Sequence, residues 1–185
     1  MRDFVADVAF GMVFAATPDG PRVAHVPLVW MGDAVCFHVA RGNGITRHLD
    51  TATALFVVNG PDGYVSPDWY GLSANEVPTW NYVSVELEGR VTRMDRSALM
   101  TQIDALSANQ EARIADKSPW TRDKADPAYI AKLADAIIGF SLVPTAWRGT
   151  IKLNQNKPET ARLGAASGLE RQGRRAIAHM MRGVG

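Results

Sequence analysis

The stretch VPTWNYVSVELEG, Val77–Gly89, decides the fold. From Asn81 to Thr92 the chain alternates without a break. Asn81, Val83, Val85, Leu87, Gly89 and Val91 share one face, and Tyr82, Ser84, Glu86, Glu88, Arg90 and Thr92 share the other. A period of two with one apolar and one wet face predicts an antiparallel strand. The wet face opens on Trp80 and Tyr82, two large rings where solvent is expected, so a ligand or a partner subunit must cover them.

Working outward, the first half is strand-rich. FGMVFAA (Phe10–Ala16), a Pro-Asp-Gly turn, RVAHVPLVW (Arg22–Trp30), a second turn at MGD and AVCFHV (Ala34–Val39) form a meander joined by hairpin chemistry. ITRHLDTA is long enough for two helical turns, ALFVVNG (Ala54–Gly60) is a strand apolar on both faces, and PDGYVSPDWYG reads as a loop, extended at Tyr64–Ser66. Beyond the long strand the period changes to that of a helix. Leu99, Ile103 and Leu106 repeat after Asp95 as N-cap; Ile130, Leu133 and Ile137 form a stripe after Asp126 as cap and Pro127 at the first helical position. GFSLVPTAWRGTIKLN returns to strand, and GLERQGRRAIAHMMRG ends the chain as a short basic helix. This order predicts a mainly β fold with accessory helices: a barrel of about six antiparallel strands with a helix pair before the last strand.

The 185 residues are 46% apolar and 21% charged, with a net charge of +1, as in a folded domain that is not basic throughout. Cys36 is the single cysteine, so no intrachain disulfide and no cysteine-cluster metal site can form; it reads as a small buried hydrophobe. The four histidines lack metal-ligand spacing. No apolar run is long enough to span a membrane, and acids stand where a secretory signal has none, so a cytoplasmic address is expected.

Three segments carry polar chemistry. In HVARGNGITRHL, Arg41 follows a strand end at His38–Val39, and Asn43 lies between two glycines before a helix start. That loop suits a phosphate dianion, but taken alone it reads first as a capped turn with a solvated arginine. KLNQNK (Lys152–Lys157) offers amides that could read the edge of a heteroaromatic ring, or a polar turn. SPDWYG and VPTWNY place Trp69, Tyr70, Trp80 and Tyr82 close together in sequence; any one alone reads as core. His25 lies mid-strand among apolar neighbours and reads as a buried imidazole.

In this order HVPLVW, HVARGN, GPDGYVSPDWY, VPTWNYVSVELEG and KLNQNKPE resemble the PaiB-like family of FMN-binding negative transcriptional regulators, from about Phe10 to the C-terminal region. The chain departs from the family pattern at Gly42-Asn43-Gly44, where Ala-Asn-Pro is usual, and at Asp62-Gly63, where His-Ala is common. It also has Asn154 where the family has serine.

The resemblance implies a six-stranded antiparallel split β-barrel of the FMN-binding type, spanning residues 1–160 with a helical insertion at about 95–137. A basic helical tail, 161–185, would follow. It further implies a homodimer with FMN in the seam, where flavin or the second subunit covers Trp80 and Tyr82. Carried over by motif, His25, His38 and Val39 become wall contacts, and Arg41 and Asn43 phosphate contacts. Trp69, Thr79, Trp80 and Asn81 approach the ring and ribityl chain, with Lys152, Gln155 and Asn156 arriving from the final strands.

The expected function is that of a flavin-binding regulator or flavin-dependent sensor. The alternatives are an FMN-dependent oxidoreductase fed by a nicotinamide donor, for which no catalytic residue is identifiable, and a haem-binding barrel with His25, His38 or His179 as axial ligand. No helix-turn-helix is present. Arg162, Arg171, Arg174, Arg175 and Arg182 against Glu170 leave the tail as the one basic patch for DNA contact.

Overall fold

The computed structural model describes residues 1–72 and 75–184. Six strands close a barrel in the order β1-β2-β3-β6-β5-β4. They are β1 (Phe10–Thr17), β2 (Gly20–Met31), β3 (Ala34–Ala40), β4 (Thr53–Val65), β5 (Thr79–Arg93) and β6 (Ile137–Lys152). Helices are α1 (Arg2–Val8), α2 (Arg96–Glu111), α3 (Pro127–Asp135), α4 (Glu159–Arg171) and α5 (Arg175–Arg182). Among the described residues no helix is long and apolar enough to cross a membrane.

The chain divides into two compact units, each discontinuous in sequence: Met1–Val58 with Glu86–Arg148, and Asn59–Val85 with Gly149–Gly185. β4, β5 and β6 each contribute residues to both. Gly185, the last residue of the expected tail, lies outside the described residues.

The first unit holds the meander. β1 and β2 pair from Phe10↔Pro27 to Thr17↔Gly20 around the Pro-Asp turn, and β2 meets β3 around Gly32, whose φ of 58° needs a residue without Cβ strain. β3 pairs with β6 from Val35↔Leu142 to Ala40↔Ile137. The core centres on Phe37, which meets Phe56 edge-on at 5.4 Å and Phe140 at 5.9 Å, all three fully buried. On β5 the predicted alternation is observed: Val85, Leu87, Gly89 and Val91 are buried, and Glu86 and Glu88 turn outward to accept from Arg148 at 2.8 and 3.2 Å. α2 and α3 fill the insertion, with Asp95 and Asp126 accepting from the Ala98 and Tyr129 amides at 2.7 and 2.8 Å, as their positions predict.

Four local expectations are corrected. The two helical turns expected at Ile45–Ala52 reduce to a 3-10 turn, Thr46–His48, with Ile45 and Leu49 buried beside it. Ile137 belongs to β6 instead of the α3 stripe, because Ala136 ends the helix, and Leu133 within the helix is 48% exposed. β4 continues through the segment after Gly60, expected as a loop extended only at Tyr64–Ser66, as far as Val65. Its buried positions shift from even (Ala54, Phe56, Val58) to odd (Gly63, Val65), the change of phase that one extra residue in a strand produces. The C-terminal basic segment is two helices with an apolar side, not one.

The second unit is built on those two helices. Ala161, Ala165, Ala166 and Leu169 of α4 and Ile177, Ala178 and Met181 of α5 are buried. Gly63 sits where a Cβ would meet Leu169 at 2.5 Å, which explains a glycine within a strand. Trp69 lies against α4, where Gly164 and Gly168, one helical turn apart, leave room for its backbone and ring. Gly168→Ala pushes a methyl into the indole. It is expected to destabilise this unit by about 2 kcal/mol, less the small helix-propensity gain of alanine. Limited proteolysis near Trp69 and urea unfolding check it; unchanged stability would mean that the ring moves aside freely.

Candidate functional site

In the second unit, β5 presents the expected aromatic pair to solvent, Trp80 at 52% and Tyr82 at 38% exposure. Tyr64 of β4, also exposed, meets Trp80 edge-on with centroids 6.0 Å apart at 72°. Lys152 Nζ donates to Thr79 Oγ1 at 2.6 Å, so the last residue of β6 and the first of β5 are brought together. Gln155 spends both ends of its amide locally, accepting from Leu153 N at 2.7 Å and donating to Ile151 O at 2.6 Å, while Asn156 is exposed. Asn154 is buried with a φ of 59°, and its Nδ2 donates to Tyr70 Oη at 3.4 Å.

Asn81 follows the strand alternation inward. It is fully buried, its Nδ2 rests on Met181 Sδ at 3.3 Å, and its Oδ1 has no partner among the described residues. It therefore stands on the opposite face of β5 from Trp80. Trp69, half-buried, is likewise engaged with α4. Asp62, the acidic departure from the family pattern, has Arg174 Nη1 3.9 Å away.

In the first unit, Arg41 directly follows β3. Its backbone N–H donates to Ala136 O at 2.8 Å and its Nε to Asp135 O at 3.0 Å. It lines a cleft of about 390 Å³ with Arg93 and Arg96, two arginines that sequence reasoning missed. They reach Arg41 only because β3 pairs with β6 and β6 neighbours β5, a long-range adjacency with no local signal. Asn43 is a cap, its Oδ1 accepting from Ile45 N at 3.2 Å. Val39 is buried. His25, read as a buried imidazole, is exposed, because Ala24 and Val26 take the inward positions of β2.

His38 is half-buried, with Nδ1 3.2 Å from Gln102 Oε1 on α2. Burial lowers its pKa from the ordinary value, and the Gln102 contact partly offsets that. The unfolded imidazole then takes up a proton at a higher pH than the folded one, so this group stabilises the fold above its unfolded pKa. The stability is lost as pH falls through about 6.5 towards the lower folded value. Urea midpoints are expected to fall between pH 7.5 and 5.5, and His38→Gln to flatten that part of the profile; an identical profile in the variant would overturn the assignment. Cys36, its pKa pushed up to about 11 by burial, is a protonated thiol at neutral pH and no nucleophile.

A family model described as "Putative FMN-binding domain" matches residues 1–146. The chain belongs to this FMN-binding domain family. The cofactor that the family's description names is FMN. The chain is 28% identical over 163 residues to the protease synthase and sporulation protein PAI 2 of Bacillus subtilis, covering 85% of this chain and 77% of that one. It is 30% identical over 154 residues to an uncharacterized protein of Emericella nidulans, covering 76% and 61%. Among solved structures, it is similar to the FAD and heme binding protein of Mycobacterium smegmatis (TM-score 0.57, 20% identity, 82% of this chain and 71% of that one). The flavocytochrome Anf3 of Azotobacter vinelandii is similar too (TM-score 0.56, 19% identity, 82% and 67%). At these identities the structures support the split-barrel fold alone.

The aromatic face of β5 fits the ring system of FMN. An isoalloxazine is a flat, largely apolar ring system with carbonyl groups along one edge. Exposed Trp80, Tyr82 and Tyr64 suit its face, and the Lys152 ammonium suits its oxygens. In the first unit, the arginines of the Arg41 cleft stand beside Asp95 and Asp135, and Arg96 is tied to Asp135 at 2.7 Å.

Proposed function

We propose that this chain acts as a homodimeric, flavin-dependent negative regulator of transcription. The observation that carries this reading is the open aromatic face of β5. Trp80 and Tyr82 stand exposed on a strand whose remaining outward residues are polar or charged, and Tyr64 extends the same apolar surface. A planar cofactor and a second copy of the chain would both remove such rings from water, at about 25 cal/mol for each Å² of apolar surface covered. The similarity to the Bacillus subtilis protein, named for protease synthesis and sporulation, extends over most of both chains and is in keeping with a role in control.

Within this reading Trp80, Tyr82 and Lys152 hold and orient the ring. Bound FMN supplies one- and two-electron redox chemistry. Direct DNA contact falls to the exposed basic side of the C-terminal helices. Arg182 is tied to Glu170 at 2.5 Å and Arg174 lies near Asp62, which leaves Arg171 and Arg175 best able to meet phosphates.

The test is an absorption spectrum with light-scattering mass on freshly purified protein. Flavin bands and a dimer are expected; a monomer that shows no spectral change on FMN titration overturns the reading. The regulatory part is tested by retention of genomic DNA fragments. Arg171→Ala with Arg175→Ala should lower the slope of log affinity against log salt by about two. Deleting α5 is the wrong variant, because it would also remove the buried Ile177, Ala178 and Met181.

A further inference from the structure

The helical insertion of the first unit contains a cavity of about 790 Å³ between α2, α3 and the segment joining them. That volume lies within the range of small-molecule sites, which are mostly apolar with few polar groups. Two features keep it open. Ala108, Ala112, Ala125 and Ala131 stand where larger side chains would close the two helices on each other. The connecting segment is also pinned in place: the Glu111 carboxylate accepts the Trp120 backbone N–H at 2.7 Å and the Lys117 ammonium, and Lys124 Nζ donates to Pro119 O at 2.6 Å. These bonds carry the Trp120 indole to the cavity wall, where it remains 37% exposed.

The charges around the cavity select the ligand. Arg122 grips both oxygens of Asp104 at 2.9 and 2.8 Å. Arg96 is tied to Asp135 at 2.7 Å and to Ala131 O at 3.0 Å. Asp123, exposed at the rim, takes hydrogen bonds from Thr121 and from its own backbone, which lower its pKa. The two arginines are already satisfied, so an anion gains no free cation here. The aspartates paired with them likewise offer a cationic ligand little. What remains is a mostly aliphatic wall of Met100, Ile130, prolines and alanines, with Ser107 and Thr121 as its few uncharged polar groups and one aromatic plate.

We propose that the α2–α3 cavity is a second ligand site, built from other residues than the β5 face, which takes a neutral, planar, mostly apolar small molecule against Trp120. It would give the chain a site for a ligand other than flavin, and it stands whether or not the flavin reading does.

The probe is N-phenyl-1-naphthylamine, neutral and planar, titrated into the full chain. Saturable emission enhancement with one site per chain is expected. Ala108→Phe from α2 and Ala131→Phe from α3 should each weaken binding about tenfold by occupying the space, and Trp120→Ala about fivefold by removing the plate. Both alanines are exposed positions, so these variants should melt like the parent. Trp80→Ala should leave probe affinity unchanged. Absence of saturation overturns the proposal, as does equal affinity in Ala108→Phe and Ala131→Phe, or loss of binding in Trp80→Ala alone.

Discussion

Gly89→Ala is expected to destabilise the barrel by about 3 kcal/mol, the upper end for one added methyl in a packed interior. For a chain of this length that lowers the melting temperature by roughly 10 °C. Gly89 lies on the inward face of β5, fully in register with Val85, Leu87 and Val91. A Cβ there would overlap the backbone carbonyl oxygen of Val143 on β6 and touch Leu142 Cδ2 at 3.0 Å. A flexible side chain could rotate away from such an overlap, but a carbonyl in a strand can move only by shifting the strand. The requirement is one of space, since Gly89 is not among the positive-φ positions. Gly42→Ala is the matched control. Its added Cβ would meet nothing within 4 Å, and its stability should stay within about 0.5 kcal/mol of the parent. Urea unfolding of the three proteins side by side decides the matter. A loss below about 1 kcal/mol for Gly89→Ala would mean that β5 and β6 part more readily than the packing implies.

Why that glycine sits in the middle of a strand could not be read from the sequence, and the same holds for everything that depended on a neighbour distant in the chain. Period two from Asn81 to Thr92 revealed β5, and carboxylates at Asp95 and Asp126 revealed the starts of α2 and α3, because strand alternation and helix caps are local physics. The passage from Gly60 to Gly63 misled for an equally physical reason. Proline and glycine ordinarily break strands, but here a phase shift and the close approach of Leu169 and Ile177 make them serve one. Within the candidate site, the aromatic pair was legible because rings on a polar face violate the strand pattern. Asn81 is the instructive case. The alternation already placed it on the inner face, and the motif that recommended it as a contact carried no information about which way it points. Arg93 and Arg96 were silent altogether, since strand order alone brings them to Arg41.

Trp80→Ala should weaken FMN binding roughly 10- to 100-fold while leaving the melting curve of flavin-free protein nearly unchanged. The range follows from about 1–3 kcal/mol for an aromatic plate against a heteroaromatic ring. The small stability effect follows from exposure: a ring more than half in water contributes little to the fold that bears it. Asn81→Ala reverses both expectations. Its side chain is fully buried on Met181, so truncation should open a small cavity and destabilise the second unit, with a much weaker effect on flavin affinity. The two neighbours thus separate the hypotheses by residue parity alone, because one strand turns Trp80 to a ligand and Asn81 to the core. Fluorescence quenching of FMN on titration with each variant supplies the affinities, and thermal unfolding supplies the stabilities. Should Trp80→Ala bind FMN as the parent does while Asn81→Ala loses it at unchanged stability, the ligand face of β5 would be the inner one, and the aromatic rings would need another partner to shield them.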